Sequence, residues 1–231
     1  MHDIDFERAR LIRESTPEQL ADEEYIKKLM LRLGMNDEEP EEQPREVLDN
    51  SGGLRIWQYP NQFAKYILKA RELGVKSYLE IGCRWGGTFV LTTEYLKKTC
   101  GLERSVAVDL IESPVREYCQ SNKGCLFIPM DSQSPAFARY MDNKRFDMIL
   151  IDGLHTLMGV TVDFLACRRS SDIFVFHDIT NDACPEVGVF WDRLKQNNEF
   201  ETHEFTEQYP EVTERTNMRF LGIGMAVRKK R

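Results

Sequence analysis

Glu80, Asp109, Asp131, Asp152, His155, His177 and Asp178 each stand at or just beyond the end of a short apolar run, where a folded chain could gather them on one edge. Carboxylates at such positions accept hydrogen bonds from ligand hydroxyls or hold a hard cation, and a histidine near neutrality takes up a proton. A single Asp after a strand is adequately explained as a helix cap. Five consecutive polar strand ends are better explained by a site. Gly82, Gly86 and Gly87 follow the first run and permit a sharp turn with close backbone approach to a ligand. Arg84 occupies the place where G-x-G-x-x-G needs its second glycine, so no pyrophosphate is expected there.

Asp152, His177 and Asp178 together offer two carboxylates and an imidazole to a divalent cation, with positions left for water and substrate. The imidazole softens the set, which puts Mn²⁺ and Fe²⁺ beside Mg²⁺. His155, three residues after Asp152, is the candidate general base, with a pKa near neutrality. The blander readings are that His155 caps the following helix and that His177 and Asp178 satisfy the backbone at a strand end. Trp57 and Tyr59 are candidates for an aromatic flap, with plain packing of the entry helix at least as strong a reading. Trp85 and Phe89 read as core beside the glycine turn.

The elements that must position these groups alternate with little interruption. Strands are expected at 77–81, 105–110, 125–129, 146–151 and 172–177, with helices at 87–98, 114–120, 135–141, 157–169 and 186–196. Such alternation builds a doubly wound parallel sheet. Two more strands, at 200–206 and 219–227, follow with only a loop between them and predict a closing antiparallel hairpin. Ahead of the sheet, a helix entering at Thr16-Pro-Glu-Gln19 should bury Leu20, Ile26, Leu29, Met30 and Leu33 and stop at Gly34. Residues 36–46 carry six acids and two prolines, which predicts a mobile or loosely packed connector. A further helix after Pro60 should turn Phe63, Ile67 and Leu68 inward.

Composition sets the outer bounds. With 231 residues, 42% hydrophobic and 30% charged, the chain fits a helical, acidic extension over 1–50 and one α/β domain over 51–231. A net charge of −7 argues against a broad grip on nucleic acid, and the only basic run, Arg228-Lys-Lys-Arg231, reads as a solvated, frayed end. Six cysteines without a C-x-x-C pair point to a reducing compartment. No leader-like start and no span of roughly 18 apolar residues is present, which predicts a cytoplasmic protein that avoids membranes. The sequence leaves a homo-oligomer open.

Glu80-x-Gly82-x-x-x-Gly86 resembles the first motif of class I S-adenosylmethionine-dependent methyltransferases. Phe146 through His155 and Phe174 through Ile179 resemble the metal-dependent branch that contains sugar and macrolide O-methyltransferases and cephalosporin hydroxylase-like proteins. The likeness spans roughly residues 52–227. It implies a Rossmann-like seven-stranded sheet in the order 3-2-1-4-5-7-6 with an antiparallel last strand. It also implies S-adenosylmethionine held by Glu80, Gly82, Cys83, Gly86, Asp109, Asp131, Ser132 and Asp152, with the ribose on Asp109. Asp152, His177 and Asp178 fall on the metal positions, with Mg²⁺ the expected ion, and a hydroxylated small molecule is the implied acceptor. His177 departs from relatives that keep an acid there. The alternative is a methyltransferase fold that binds cofactor without catalysis, as a regulatory or partner subunit.

Overall fold

The computed structural model describes residues 4–230; Met1 of the amino-terminal stretch and Arg231 of the basic run lie outside the described residues. Seven strands form one sheet in the order β3-β2-β1-β4-β5-β7-β6. They are β1 Ser77–Ile81, β2 Arg104–Asp109, β3 Cys125–Pro129, β4 Met148–Ile151, β5 Ile173–Phe176, β6 Phe200–Phe205 and β7 Ile223–Arg228. The first five pair in parallel, and β7 runs antiparallel to both β5 and β6. Every residue of β4 and of β5 is buried, as parallel strands covered on both faces require.

Before the sheet come α1 Arg10–Glu14, α2 Glu23–Leu33, α3 Arg45–Leu48 and α4 Pro60–Glu72; α5 Gly87–Cys100, α6 Val115–Ser121, α7 Pro135–Met141, α8 Leu157–Cys167 and α9 Glu186–Lys195 are the crossovers. Local chemistry sets their starts. Ser134 accepts from the Phe137 amide ahead of Pro135, and Thr156 accepts from the Gly159 amide. Two apolar clusters cover the sheet. One joins α2, α4 and α5 to it through residues such as Leu29, Phe63 and Phe89; the other joins α7, α8 and α9 through Phe137, Phe164 and Trp191.

Four expectations change. Thr16 and Gln19 do exchange hydrogen bonds, at 2.8 and 3.2 Å, but they close only a 3₁₀ turn. Extended Asp22 then caps α2 by accepting from the Tyr25 amide at 2.6 Å, so the buried stripe belongs to a helix that starts later. The expected bare loop after β6 contains α10, Pro210–Thr216, whose Val212 packs with Tyr59, Phe220 and Leu221. That packing removes residues 219–222 from β7. Tyr59 is therefore core and not a flap. Arg228 is no frayed end: it lies in β7, over the Phe200 ring, and pairs with Asp172 and Glu199.

The fourth change matters most for the site. Residues 36–46 are a fastened strap. Arg55 pairs with Asp37 at 2.6 Å, Arg84 pairs with Glu38 at 2.6 Å, Arg215 donates to the carbonyls of Glu41 and Gln43, and the Tyr59 hydroxyl donates to the Glu42 carbonyl. Acidity suggested solvation, yet basic side chains from the sheet domain neutralise part of it and hold the backbone down.

Candidate active site

All eleven residues singled out for chemistry line one cleft of about 760 Å³ above the carboxyl ends of the strands: Glu80, Gly82, Cys83, Gly86, Asp109, Asp131, Ser132, Asp152, His155, His177 and Asp178. This is where an open α/β sheet leaves its crevice. The cleft also takes Glu39 and Glu42 from the strap, Trp57, Arg84 and Trp85, and Asn181 and Cys184 from the loop after β5.

The glycine turn is shaped by backbone contacts. Gly82 has φ +82°, and a Cβ there would sit 1.9 Å from the Asp152 carbonyl oxygen. The β4 turn alone therefore forbids a side chain here. Gly86, at φ +88°, is instead crowded by the Val115 side chain of α6, and Arg84 itself takes a left-handed φ of 44°. Asp109 holds this turn together. Its Oδ2 accepts from the Cys83 and Arg84 amides at 3.0 and 2.8 Å, and its Oδ1 accepts from the Ile111 amide at 3.1 Å. A carboxylate offers about four acceptor positions. With three filled, Asp109 keeps about one acceptor position open.

Glu80 lies deeper than a strand-end ligand should. It is buried, accepts from the Tyr78 hydroxyl at 2.5 Å, and burial raises its pKa to about 8 against the pull of that hydrogen bond, with the Asp152 charge adding to the rise. It is a neutral acid at pH 7. Asp131 and Ser132 lie beyond β3; Asp131 accepts from the Gln133 amide, and Gln133 in turn donates to buried Asp163 at 2.7 Å.

At the other end, two imidazoles and two carboxylates converge. His155 Nε2 is 3.1 Å from Asp152 Oδ1 and 3.4 Å from Asp178 Oδ2; His177 Nδ1 is 3.2 Å and 3.3 Å from the same two oxygens. Asp178 has a left-handed φ of 61°, a conformation Asp tolerates better than most residues, and Asn181 donates to its Oδ1 at 2.8 Å. Burial alone would raise both carboxyls, but the His177 charge outweighs it and holds them below their usual range. His177 is raised well above its ordinary value because the two carboxylates overcome the cost of burying its charge.

The expected near-neutral pKa of His155 is overturned. Its hydrogen bond with Asp152, then its contact with Cys184, pushes it up to about 11, so while the two carboxylates carry no cation it is held as an imidazolium, and a cation on those carboxylates would lower it again toward the range of a base. Both nitrogens of buried His177 lack a hydrogen-bond partner, although Nδ1 faces the carboxylate oxygens. An imidazole so placed suits a cation shared with Asp152 and Asp178, and the donor atoms of these three residues lie within 4.8 Å of one another.

Glu39, Glu42 and Cys184 escaped the sequence reading, which noted Arg84 only as a break in the glycine pattern. The strap residue Glu38 lies 46 residues ahead of the Arg84 it touches, and the strap's acids looked like solvated charge. Cys184 follows Asp178 by six residues and could have been found by asking which thiol the loop after β5 carries.

No protein-family model matches the chain, and no curated protein sequence matches it. Solved structures do. An O-methyltransferase from Bacillus cereus in complex with SAH is 16% identical with a TM-score of 0.52, over 75% of this chain and 82% of that one. The O-methyltransferase TomG from Streptomyces achromogenes, involved in tomaymycin synthesis and bound to SAM, is 15% identical at 0.54, over 76% and 82%. The SAH-bound methyltransferase PaMTH1 from Podospora anserina is 16% identical at 0.50, over 76% and 80%. Strand order, the antiparallel last strand and these likenesses agree that the chain has the Rossmann-like fold of class I S-adenosylmethionine-dependent methyltransferases.

Proposed function

We propose that the protein is an S-adenosylmethionine-dependent O-methyltransferase that uses a divalent cation and acts on a hydroxyl of a small molecule such as a sugar, glycoside or polyphenol. One observation carries this reading: a single cleft runs from the Gly82–Gly86 turn and Asp109 to the cluster of Asp152, His177 and Asp178. In this reading the turn and the remaining acceptor position of Asp109 bind the cofactor, with Asp131 and Ser132 toward its adenine. Neutral Glu80 lies under the turn, where a cationic sulfonium would draw it toward its charged form. Asp152, His177 and Asp178 would hold the cation, which supplies Lewis-acid polarisation of the acceptor hydroxyl. Trp57 and the strap residues Glu39 and Glu42 wall the cleft and exclude water from the transfer. Positioning of the two reactants supplies much of the rate.

The test has two arms. Calorimetric titration with S-adenosylmethionine and S-adenosylhomocysteine should show binding, and transfer of labelled methyl to a panel of catechols and glycosides should require added divalent metal. Binding without transfer to any hydroxylated acceptor would favour a cofactor-binding regulatory subunit. Transfer that survives exhaustive chelation would leave a metal-independent O-methyltransferase.

A further inference from the structure

The cluster at the acceptor end is larger than the three residues the sequence singled out. His155, Asp178 and Cys184 form a second group whose donor atoms also lie within 4.8 Å of one another, with Asp178 common to both. The loop leaving β5 delivers three of the five side chains and is wound tightly enough to fix them. Asn181 donates to Asp178 Oδ1, the Ala183 amide donates to Asn181 Oδ1 at 3.0 Å, and the Cys184 amide donates to the Asn181 carbonyl at 3.2 Å. Cys184 is thereby held by the turn that fixes Asp178. His177, only 5% exposed, has no partner for Nε2, while its Nδ1 makes no well-aligned hydrogen bond and only ion-pair contacts with Asp152 and Asp178. A buried polar side chain in that condition is costly unless a ligand completes it.

The donor types then decide the ion. Mg²⁺ seeks oxygen in near-octahedral array and keeps several waters. Across the two groups, which share Asp178, oxygen comes from two side chains and the other three are a thiol and two imidazoles that must release a proton as the ion enters; imidazole and thiolate donors suit Zn²⁺, Co²⁺ or Fe²⁺. We propose that the cation of this cleft is a transition ion of borderline softness rather than Mg²⁺, and that Cys184 is one of its ligands, as a thiolate whose proton leaves to solvent on binding. The inference deepens the cation part of the proposed function. Its test uses neither cofactor nor acceptor, so it can fail while methyl transfer stands.

The full-length protein, stripped by chelation, is titrated with Co²⁺ and separately with Zn²⁺ against a chromophoric chelator. A thiolate-to-cobalt charge-transfer band should appear in the near ultraviolet. Cys184→Ser should lose it, whereas Cys100→Ser, which alters a half-buried thiol bonded to the Arg71 carbonyl away from the cleft, should keep it. Zn²⁺ affinity in Cys184→Ser should fall by at least the roughly 10–100-fold that loss of even an outer-sphere partner costs. Zn²⁺ should also shield Cys184 of the unaltered protein from alkylation, a readout by peptide mass that does not depend on the variant folding. Absence of the band, unchanged Zn²⁺ affinity in Cys184→Ser, or alkylation of Cys184 at the same rate with and without Zn²⁺ would each overturn the assignment.

Discussion

The two ends of the cleft are built from different materials. At the cofactor end the contacts that set geometry are main-chain: Gly82 against the Asp152 carbonyl, and the Cys83, Arg84 and Ile111 amides on one carboxylate. At the acceptor end they are side-chain: two imidazoles, two carboxylates and a thiol around a loop held by Asn181. A site made of backbone tolerates little change at its glycines and constrains its ligand by shape. A site made of side chains can change its ion or acceptor by single substitutions without disturbing the sheet. The comparison predicts that damage at the cofactor end shows first as lost stability, and damage at the acceptor end as lost ligand binding.

The sharpest break is Gly82→Val. A Cβ 1.9 Å from a carbonyl oxygen, on a residue at φ +82°, can be relieved only by moving the turn away from β4. The expected cost exceeds about 4 kcal/mol, the range reserved for gross core or backbone conflict. Chemical denaturation measures it. A Gly82→Val protein that folds with near-normal stability and merely loses cofactor would show that the glycine serves the ligand and not the fold.

Glu80 sharpens the comparison through pH. Its carboxyl, raised by burial from 4.5 to about 8 in the folded protein, binds a proton that the unfolded chain has already released. The stabilising contribution is therefore complete below pH 4.5 and is lost as pH rises through about 8. Glu80→Gln should flatten stability across that window and leave the cofactor-free protein more stable than the parent at pH 8.5. Urea midpoints at pH 5.5 and 8.5 decide it; parallel pH dependence in the two proteins would mean that Glu80 is ionised in place.

Asp109→Ala should cost the cofactor end twice. Three amides lose their acceptor and one ribose contact disappears, so the melting temperature should fall together with an affinity loss of roughly 1.5–3 kcal/mol for a charge-assisted bond. Affinity unchanged in a folded variant would remove Asp109 from the cofactor site.

How far each end could be read in advance follows from the same contrast. Glycine spacing and strand-end acids exposed the turn and both carboxylates of the cluster, because backbone geometry and strand periodicity leave local marks, whereas the strand order came from the family resemblance. The six-residue delay of α2, from the expected cap Thr16 to the actual cap Asp22, was hidden because Thr16 and Gln19 do make their capping contacts, and only Asp22 shows where the helix begins. The protonated state of His155 depends on two carboxylates from different strands, and α10 depends on a small core with Tyr59; neither is local.

The strap offers the smallest effect on stability and links the two ends. Glu38 pairs with Arg84 of the turn and accepts from Trp85 Nε1 at 3.3 Å, while Glu39 and Glu42 of the same segment wall the acceptor end. Arg84 also lies 4.6 Å over the Trp57 ring, so strap, turn and entry segment meet at one guanidinium. The Arg84 side chain is 54% exposed and that of Glu38 25%, so their ion pair should contribute no more than about 1 kcal/mol. Glu38→Ala should therefore shift the melting temperature only slightly. If the strap must lift for cofactor to pass, dissociation of S-adenosylhomocysteine in stopped flow should quicken by a larger factor than that loss of stability explains. Equal changes in the two quantities would make the segment a passive wall, leaving the cleft open at the cofactor end and the acceptor end as the only part that responds to its contents.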